Sequence, residues 1–133
     1  MRTFDSQTIS VINTFETLTK VNVRDCLFDN KTIYFLVEEG MMGKAIGKSG
    51  QNIKIAEKFL KKNIVLFEWS PDLNKFIKNL VPEAKSFRIL SETLFLQIDK
   101  KDKPLVIGKN GQKLNIIRSF LERNANINEV RIS

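Results

Sequence analysis

The sequence contains no histidine and only one cysteine, Cys26. A single cysteine excludes an internal disulfide, and the lack of histidine leaves no zinc-binding pattern of cysteine and histidine. Histidine is also the commonest general base in enzymes, and the 15 acidic residues show no spacing that marks a catalytic pair. We therefore expect a protein that is not an enzyme and that has no metal site and no cofactor.

Long apolar runs are also missing. No stretch approaches the roughly 20 apolar residues that a membrane-spanning helix needs. The first ten residues, MRTFDSQTIS, lack the apolar core of a secretory signal. These absences predict a cytoplasmic protein that does not associate with membranes.

Acidic residues are outnumbered by basic ones. The 133 residues include 22 Lys and Arg against 15 Asp and Glu, which gives a formal net charge of +7 and a pI near 9.6. A basic protein of this size attracts polyanions, with nucleic acid ahead of acidic membrane surfaces. Charge alone does not separate a nucleic-acid-binding protein from a basic protein that binds nothing in particular.

Glycine is scarce, yet four of the six glycines form two Gly-x-x-Gly motifs that lie 61 residues apart. Residues 46–60, IGKSGQNIKIAEKFL, and residues 107–121, IGKNGQKLNIIRSFL, are identical at eight of fifteen positions. Self-similarity of this extent indicates two copies of one structural unit. We predict one domain over residues 1–69 and a second over residues 70–133.

Hydrophobic periodicity predicts the same order of elements in both copies. Each copy has a helix, two strands, the glycine motif after a short apolar step, a second helix and a final strand. A turn at Asp29, Asn30 and Lys31 joins the first two strands, and Ser70 with Pro71 opens the first helix of the second copy. The predicted helices are 5–19, about 51–60, 70–80 and 111–123, and the predicted strands are 21–28, 32–39, 63–69, 84–90, 93–99 and 127–132.

The glycine motifs suit the binding of phosphate. Glycine lets the backbone turn tightly and approach a ligand without a Cβ atom, and the following helix offers free N–H groups and the positive end of its dipole. A Walker loop would need a glycine where Met42 stands, and a dinucleotide-binding fingerprint would need a third glycine. A single motif would indicate a plain helix–turn–helix corner, but duplication with a lysine in both copies favours nucleic-acid binding.

The segments Ile-Gly-Lys-x-Gly at 46–50 and 107–111, each followed by an apolar residue three positions later, resemble the signature of the KH domain. The order of elements around them is similar to the type II (prokaryotic) form, and VNVRDCLFD at 21–29 adds to the likeness. Two such domains with almost no linker resemble the archaeal NusA-like transcription factors. The resemblance implies an α+β fold of two tandem type II KH domains, each with a small mixed three-stranded sheet and helices packed on one face.

The resemblance also implies a function and a set of contacts. The function is single-stranded RNA binding, by a monomer that takes part in transcription termination or antitermination with RNA polymerase. Each groove would hold about four nucleotides. The residues expected to contact the RNA backbone are Gly47, Lys48, Ser49, Gly50, Gly108, Lys109, Asn110 and Gly111, and those expected to form an apolar floor for the bases are Ile46, Ile53, Ile107 and Leu114.

Lysines around the motifs differ between the copies. Lys44 and Lys54 are expected to contact RNA in the first copy and Lys113 in the second, but Lys44 is matched by Leu105. We therefore expect weaker electrostatic binding by the second copy. Three further lysines, Lys58, Lys61 and Lys62, share one side of the first motif helix with Lys54 and would extend its basic surface.

Two other interpretations stay open. In one, the KH-like frame docks on polymerase or the ribosome and RNA contact is incidental; in the other, the ligand is single-stranded DNA. The aromatic residues are predicted to be structural, and the equivalent Phe59 and Phe120 are both expected to face the core.

Overall fold

The computed structural model describes residues 4–133, which form two compact units. The first unit ends at Pro71 and the second runs from Asp72 to Ser133, so the division falls two residues beyond the predicted one. Each unit is α+β and contains one three-stranded mixed sheet. Along residues 4–133, none of the helices combines the length and apolar character that spanning a membrane requires.

In the first unit, strand β2 lies at the centre of the sheet, antiparallel to β1 and parallel to β3. Helix α1 begins at Ser6, one residue after the predicted start, because Asp5 is its cap: the Asp5 carboxylate accepts a hydrogen bond from the Thr8 amide at 2.7 Å. The elements are α1 (Ser6–Thr19), β1 (Val23–Phe28), β2 (Thr32–Val37), α2 (Met42–Ile46), α3 (Gln51–Leu60) and β3 (Asn63–Glu68). Helix α2 is an addition to the prediction, which had only a short apolar step there.

The core of the first unit lies between its sheet and its helices. Alternate residues of β2, Ile33, Phe35 and Val37, are buried in one apolar cluster with Ile12 and Phe15 of α1. The rings of Phe15 and Phe35 stack with their centroids 4.1 Å apart. This packing fixes α1 on the sheet.

The predicted turn between β1 and β2 is held by Asp29. Its carboxylate accepts hydrogen bonds from the amides of Lys31 and Thr32, at 3.0 and 2.9 Å, and from the Tyr34 hydroxyl at 2.8 Å. Burial acts to raise the pKa of Asp29, but these bonds outweigh it and the pKa lies below its ordinary value. Burial, with the bond to Asp29, raises the pKa of Tyr34 to about 12.

The second unit repeats this topology, with β5 central, antiparallel to β4 and parallel to β6. Its first helix is capped by Asp72, which accepts hydrogen bonds from the amides of Asn74 and Lys75. Pro71 therefore precedes the cap. The prediction that Ser70 and Pro71 open this helix is wrong. The elements are α4 (Leu73–Leu80), β4 (Ala84–Leu90), β5 (Thr93–Ile98), α5 (Lys103–Ile107), α6 (Gln112–Ala125) and β6 (Glu129–Ile132).

The helices after the two motifs differ in length and in burial. Helix α6 has 14 residues against 10 in α3. Phe120 of α6 is fully buried, whereas the equivalent Phe59 of α3 is 66% exposed, so the prediction that both are core residues is wrong for Phe59. The apolar side of α3 that meets the core carries Ile53, Ala56 and Leu60, and Phe59 lies about 100° around the helix from Leu60.

This difference predicts opposite effects of the same substitution. Phe120→Ala should lower the free energy of unfolding by about 3–5 kcal/mol, because it leaves a cavity in the core. Phe59→Ala should change it by less than about 0.5 kcal/mol, because the side chain is mostly in water. Urea unfolding followed by circular dichroism measures both, and equal losses would contradict the assignment.

The Asp29 turn predicts a pH dependence. Because its pKa is lowered by folding, Asp29 stabilises the native state above its ordinary pKa, and that contribution is lost as the pH falls through the lowered value. Asp29→Asn should cost about 1 kcal/mol at pH 7 and lose less stability than the wild type between about pH 5 and pH 2. Parallel acid-unfolding curves for the two proteins would refute this role.

Candidate nucleic-acid interface

The two Gly-x-x-Gly loops have nearly the same backbone. The first glycine has φ and ψ of 77° and 173° at Gly47, and of 76° and 176° at Gly108. Only glycine adopts this region without strain. A 3-10 turn follows in each loop, at Lys48–Gly50 and Lys109–Gly111, and leads into α3 or α6.

The first glycine is also needed for space. A Cβ atom on Gly47 would lie 2.8 Å from Cγ and 2.9 Å from the backbone nitrogen of Asn52, and one on Gly108 would lie 2.7 Å from Cβ of Lys113. These distances are too short for real contacts, so glycine allows the first turn of the following helix to pack against the loop. The second glycine has room: a Cβ atom on Gly50 would meet Cε of Lys54 at 3.9 Å.

Each loop turns outward through a residue in the left-handed conformation. Ser49 has φ 56° and ψ 28°, and Asn110 has φ 56° and ψ 25°. Both side chains are exposed, as are those of the preceding Lys48 and Lys109. The tip of each loop is therefore a lysine followed by a small polar residue, both open to solvent.

The backbone amides of the loops divide into bonded and free ones. Both glycines of each loop donate to carbonyls of the same polypeptide, at 2.9 Å for the first glycine and 3.2 Å for the second. Within residues 4–133, no acceptor is found for the two amides between the glycines, those of Lys48 and Ser49 and those of Lys109 and Asn110. Each loop therefore offers two adjacent amides without an acceptor, and the amides of its two glycines are already used.

The helices that follow add to the attraction for anions. Helices α3 and α6 begin directly after Gly50 and Gly111, which have no side chain that could cap the first N–H groups. The positive end of each helix dipole therefore faces the loop tip without a neutralising side chain. Adjacent free amides, a helix N-terminus and a lysine together suit a phosphate group.

The short helices α2 and α5 anchor the chain just before each loop. Ala45 in α2 and Val106 in α5 are fully buried, which anchors the segment before each loop in the core. In the first unit, the Asn52 side chain also donates to the Lys44 carbonyl at 2.8 Å and ties α3 to the end of α2. Lys113 occupies the position of Asn52 in the second unit.

The predicted apolar floor is partly exposed. Ile53 packs against the core of the first unit, while Ile46, on the other side of the loop, is 37% exposed. Their counterparts Ile107 and Leu114 are half-buried. Each loop is thus flanked by two branched apolar side chains that water still reaches.

The lysines are distributed unequally, as the sequence predicts. Around the first loop Lys44, Lys48 and Lys54 are exposed, and the Lys54 side chain reaches back over Gly50. In the second unit Leu105, 59% exposed, stands in place of Lys44, and Lys113 is half-buried against Gly108.

The basic surface of α3 extends further than the sequence predicts. A depression at the far end of α3 contains Lys31 as well as the expected Lys58, Lys61 and Lys62. Lys31 lies in the β1–β2 turn, and its carbonyl accepts a hydrogen bond from the Asn63 amide at 3.0 Å. The parallel pairing of β2 with β3 brings this turn to the end of α3, a long-range contact that local sequence patterns do not reveal.

In the part of the chain that the structure describes, no three histidine, cysteine, aspartate or glutamate residues come together as potential metal ligands.

The loop geometry predicts different tolerance at the two glycines. Gly47→Ala should lower the free energy of unfolding by at least about 2 kcal/mol, because the new Cβ meets the backbone and the angles suit only glycine. Gly50→Asn, the control in the same loop, should cost less than about 1 kcal/mol, because asparagine tolerates the left-handed region. Thermal unfolding of both variants tests this, and a larger cost at Gly50 would contradict the geometry.

The chain was compared with known proteins. No family model matches it. It is 30% identical, over 133 residues that cover 96% of this chain and 73% of the relative, to the probable transcription termination protein NusA of Methanocaldococcus jannaschii. Proteins of the same name from Methanococcus vannielii and Halobacterium salinarum are 29% and 27% identical, and cover 96% and 92% of this chain.

A solved structure is also similar to this chain. The crystal structure of the protein APE1850 superposes on this chain with a TM-score of 0.78 and 31% sequence identity, covering 98% of this chain and 100% of the other. The resemblance stated from the sequence is therefore confirmed at the level of the family. The chain belongs to the family of archaeal proteins named probable transcription termination protein NusA.

Proposed function

We propose that the protein is a single-stranded RNA-binding transcription factor that acts through two tandem type II KH domains. The observation that carries the proposal is the pair of loops that each present a lysine and two adjacent amides without an acceptor. The order of elements in each unit and its mixed sheet support the type II assignment. The names of the relatives support a role in transcription termination.

The loops suit the backbone of a nucleic acid better than they suit a base. The amides of Lys48 and Ser49 donate to phosphate oxygens, and the lysine side chain supplies charge. Ile46 and Ile53 then lie beside the strand, where unpaired bases contact apolar surface. A strand with exposed bases is required for that second contact, which favours single-stranded over duplex ligands.

Both loops belong to one chain, which matters for affinity. Once one loop binds a strand, binding by the other becomes intramolecular, and the overall affinity exceeds that of either loop. The first loop, with three exposed lysines around it, contributes more of the salt-dependent part of binding than the second. The protein then acts in the cytoplasm as a monomer beside RNA polymerase, on RNA that has not yet paired.

The test is a double-loop variant in which Lys48, Ser49, Lys109 and Asn110 are replaced by aspartate. Each loop then repels phosphate, so affinity for a single-stranded RNA should fall by at least about 100-fold, with a shallower dependence on salt. The fold should persist, because aspartate tolerates the left-handed backbone of Ser49 and Asn110. Fluorescence anisotropy measures the affinity, and circular dichroism checks the fold.

A matched control separates loop contact from total charge. The variant Asn13→Asp, Lys20→Asp, Asn74→Asp, Lys75→Asp makes the same change of charge at exposed residues outside the loops and should keep most of the affinity. Unchanged RNA binding by the folded double-loop variant would favour docking on polymerase or the ribosome. Equal affinity for RNA and DNA oligomers of one sequence would favour a single-stranded DNA ligand.

A further inference from the structure

Helix α3 exposes an apolar pair that the fold does not use. Ile55 is 45% exposed and Phe59 is 66% exposed, and the two lie one helical turn apart on the same side of the helix. Phe59 is the most exposed large apolar side chain within residues 4–133. An aromatic ring held in water on a rigid helix is available for contact with another molecule.

The surroundings of this pair are basic. Two depressions flank α3: one is lined by Lys48, Ser49, Gln51, Lys54 and Ile55. The other contains Lys31, Lys58, Lys61 and Lys62. Its single acidic residue, Glu57, accepts a hydrogen bond from the Ile64 amide at 2.9 Å and is committed to the fold. We name the surface formed by Lys31, Lys54, Ile55, Lys58, Phe59, Lys61 and Lys62 the α3 track.

The α3 track is continuous with the first loop. Lys54 reaches back over Gly50 at one end, and Lys31 lies in the depression at the other end of the helix. The ten residues of α3 span about 15 Å. A strand whose backbone is bound at the loop therefore finds further positive charge along the whole helix.

The second unit provides an internal comparison. The counterparts of Ile55 and Phe59, Ile116 and Phe120, are 8% and 0% exposed. Three of the four lysines of α3 and its C-terminal end are replaced, because Asn115, Ser119 and Glu122 stand where the first unit has Lys54, Lys58 and Lys61. The fourth, Lys62, is matched by Arg123. The exposed ring and the full set of lysines occur together in the first unit, whereas the second unit buries the ring and retains fewer basic residues at these positions.

We propose that the α3 track is a second nucleic-acid contact surface, on which Phe59 stacks against one base while Lys58, Lys62 and Lys31 contact phosphates. Aromatic rings among lysines are the usual means of binding single strands without sequence preference. Charge complementarity selects this ligand, since lysines surround the apolar pair and the one carboxylate that lines the two depressions, Glu57, is engaged. The inference rests on the proposed function and extends it from the loops to a strand longer than one groove holds.

The first experiment uses the full chain and two RNA lengths. Phe59→Ala should weaken binding of an RNA of about ten nucleotides by roughly 5- to 100-fold, because one stacked base is lost. It should leave binding of an RNA of about four nucleotides unchanged, because that length fills a single groove. Phe59→Tyr should restore the wild-type affinity, and Leu90→Ala, which alters a side chain that is 62% exposed in the second unit, is the control.

A second experiment locates the base. Single abasic sites are placed along the longer RNA, and each is tested with the wild type and with Phe59→Ala. One abasic position should weaken wild-type binding as much as Phe59→Ala does, and combining the two changes should add no further loss. Additive losses at every position would overturn stacking by Phe59.

The lysines are tested through salt dependence. Lys58→Gln with Lys62→Gln should reduce the slope of log affinity against log salt by about 1.4, or 0.7 for each phosphate contact with a single strand. Lys75→Gln, an exposed lysine on α4, should change it much less. An unchanged slope for the double variant would overturn the phosphate contacts.

The outcomes separate this inference from the proposed function. If Phe59→Ala binds long RNA normally while the double-loop variant does not, the α3 track is refuted and RNA binding by the loops stands. If neither variant loses affinity, the proposed function fails and the inference fails with it. If Phe59→Ala binds RNA normally but abolishes self-association in ultracentrifugation, the surface contacts a second copy of the chain and the inference is wrong.

Discussion

The close approach of α3 to the Gly47 backbone is the constraint on which the first loop depends, and α6 imposes the same constraint at Gly108. Because the helix begins against the first glycine, the chain must reverse within three residues. The amide of the second glycine closes that reversal by donating to the carbonyl of the first, whose own amide donates to the preceding short helix. The two residues at the tip are left with amides that have no acceptor in the described chain, so the geometry that makes the turn possible also creates the donors for an anion.

A site of this kind needs a rigid support, since adjacent amides select a phosphate only if they stay in place. The support comes from small or branched side chains that let short helices sit deep in the core, Ala45 in the first unit and Val106 in the second. Asn52 adds a hydrogen bond to the preceding helix. The exposed lysines then supply electrostatic attraction, and the backbone supplies the positioning.

The sequence predicts most of this molecule because the repeat reports on backbone geometry. Identical glycines gave nearly identical loop angles, and hydrophobic periodicity gave the order of strands and long helices. The prediction from the repeat is wrong at Phe59, because an identical residue in the two copies does not guarantee an identical environment. The spacing of Ile53, Ala56 and Leu60 defines the buried side of α3 and leaves Phe59 outside it.

The sequence does not predict the short helices α2 and α5, because five residues carry too little periodicity. It does not predict the place of Lys31 in the basic surface, because the residues around Lys31 are distant in sequence.

The two units differ in the groups that they expose around the same loop geometry. The second loop has the same backbone angles and the same amides without an acceptor in the described chain, but Leu105 stands where the first unit has Lys44. Its helix buries the phenylalanine that the first unit exposes. Removing exposed charge lowers affinity without affecting geometry, because the amides are fixed by the turn and not by the side chains. In the proposed function, the second loop contributes a weaker contact through its amides, and the first loop supplies most of the charge. In a tethered pair such a weak second contact still raises the overall affinity, because its partner is already at high effective concentration.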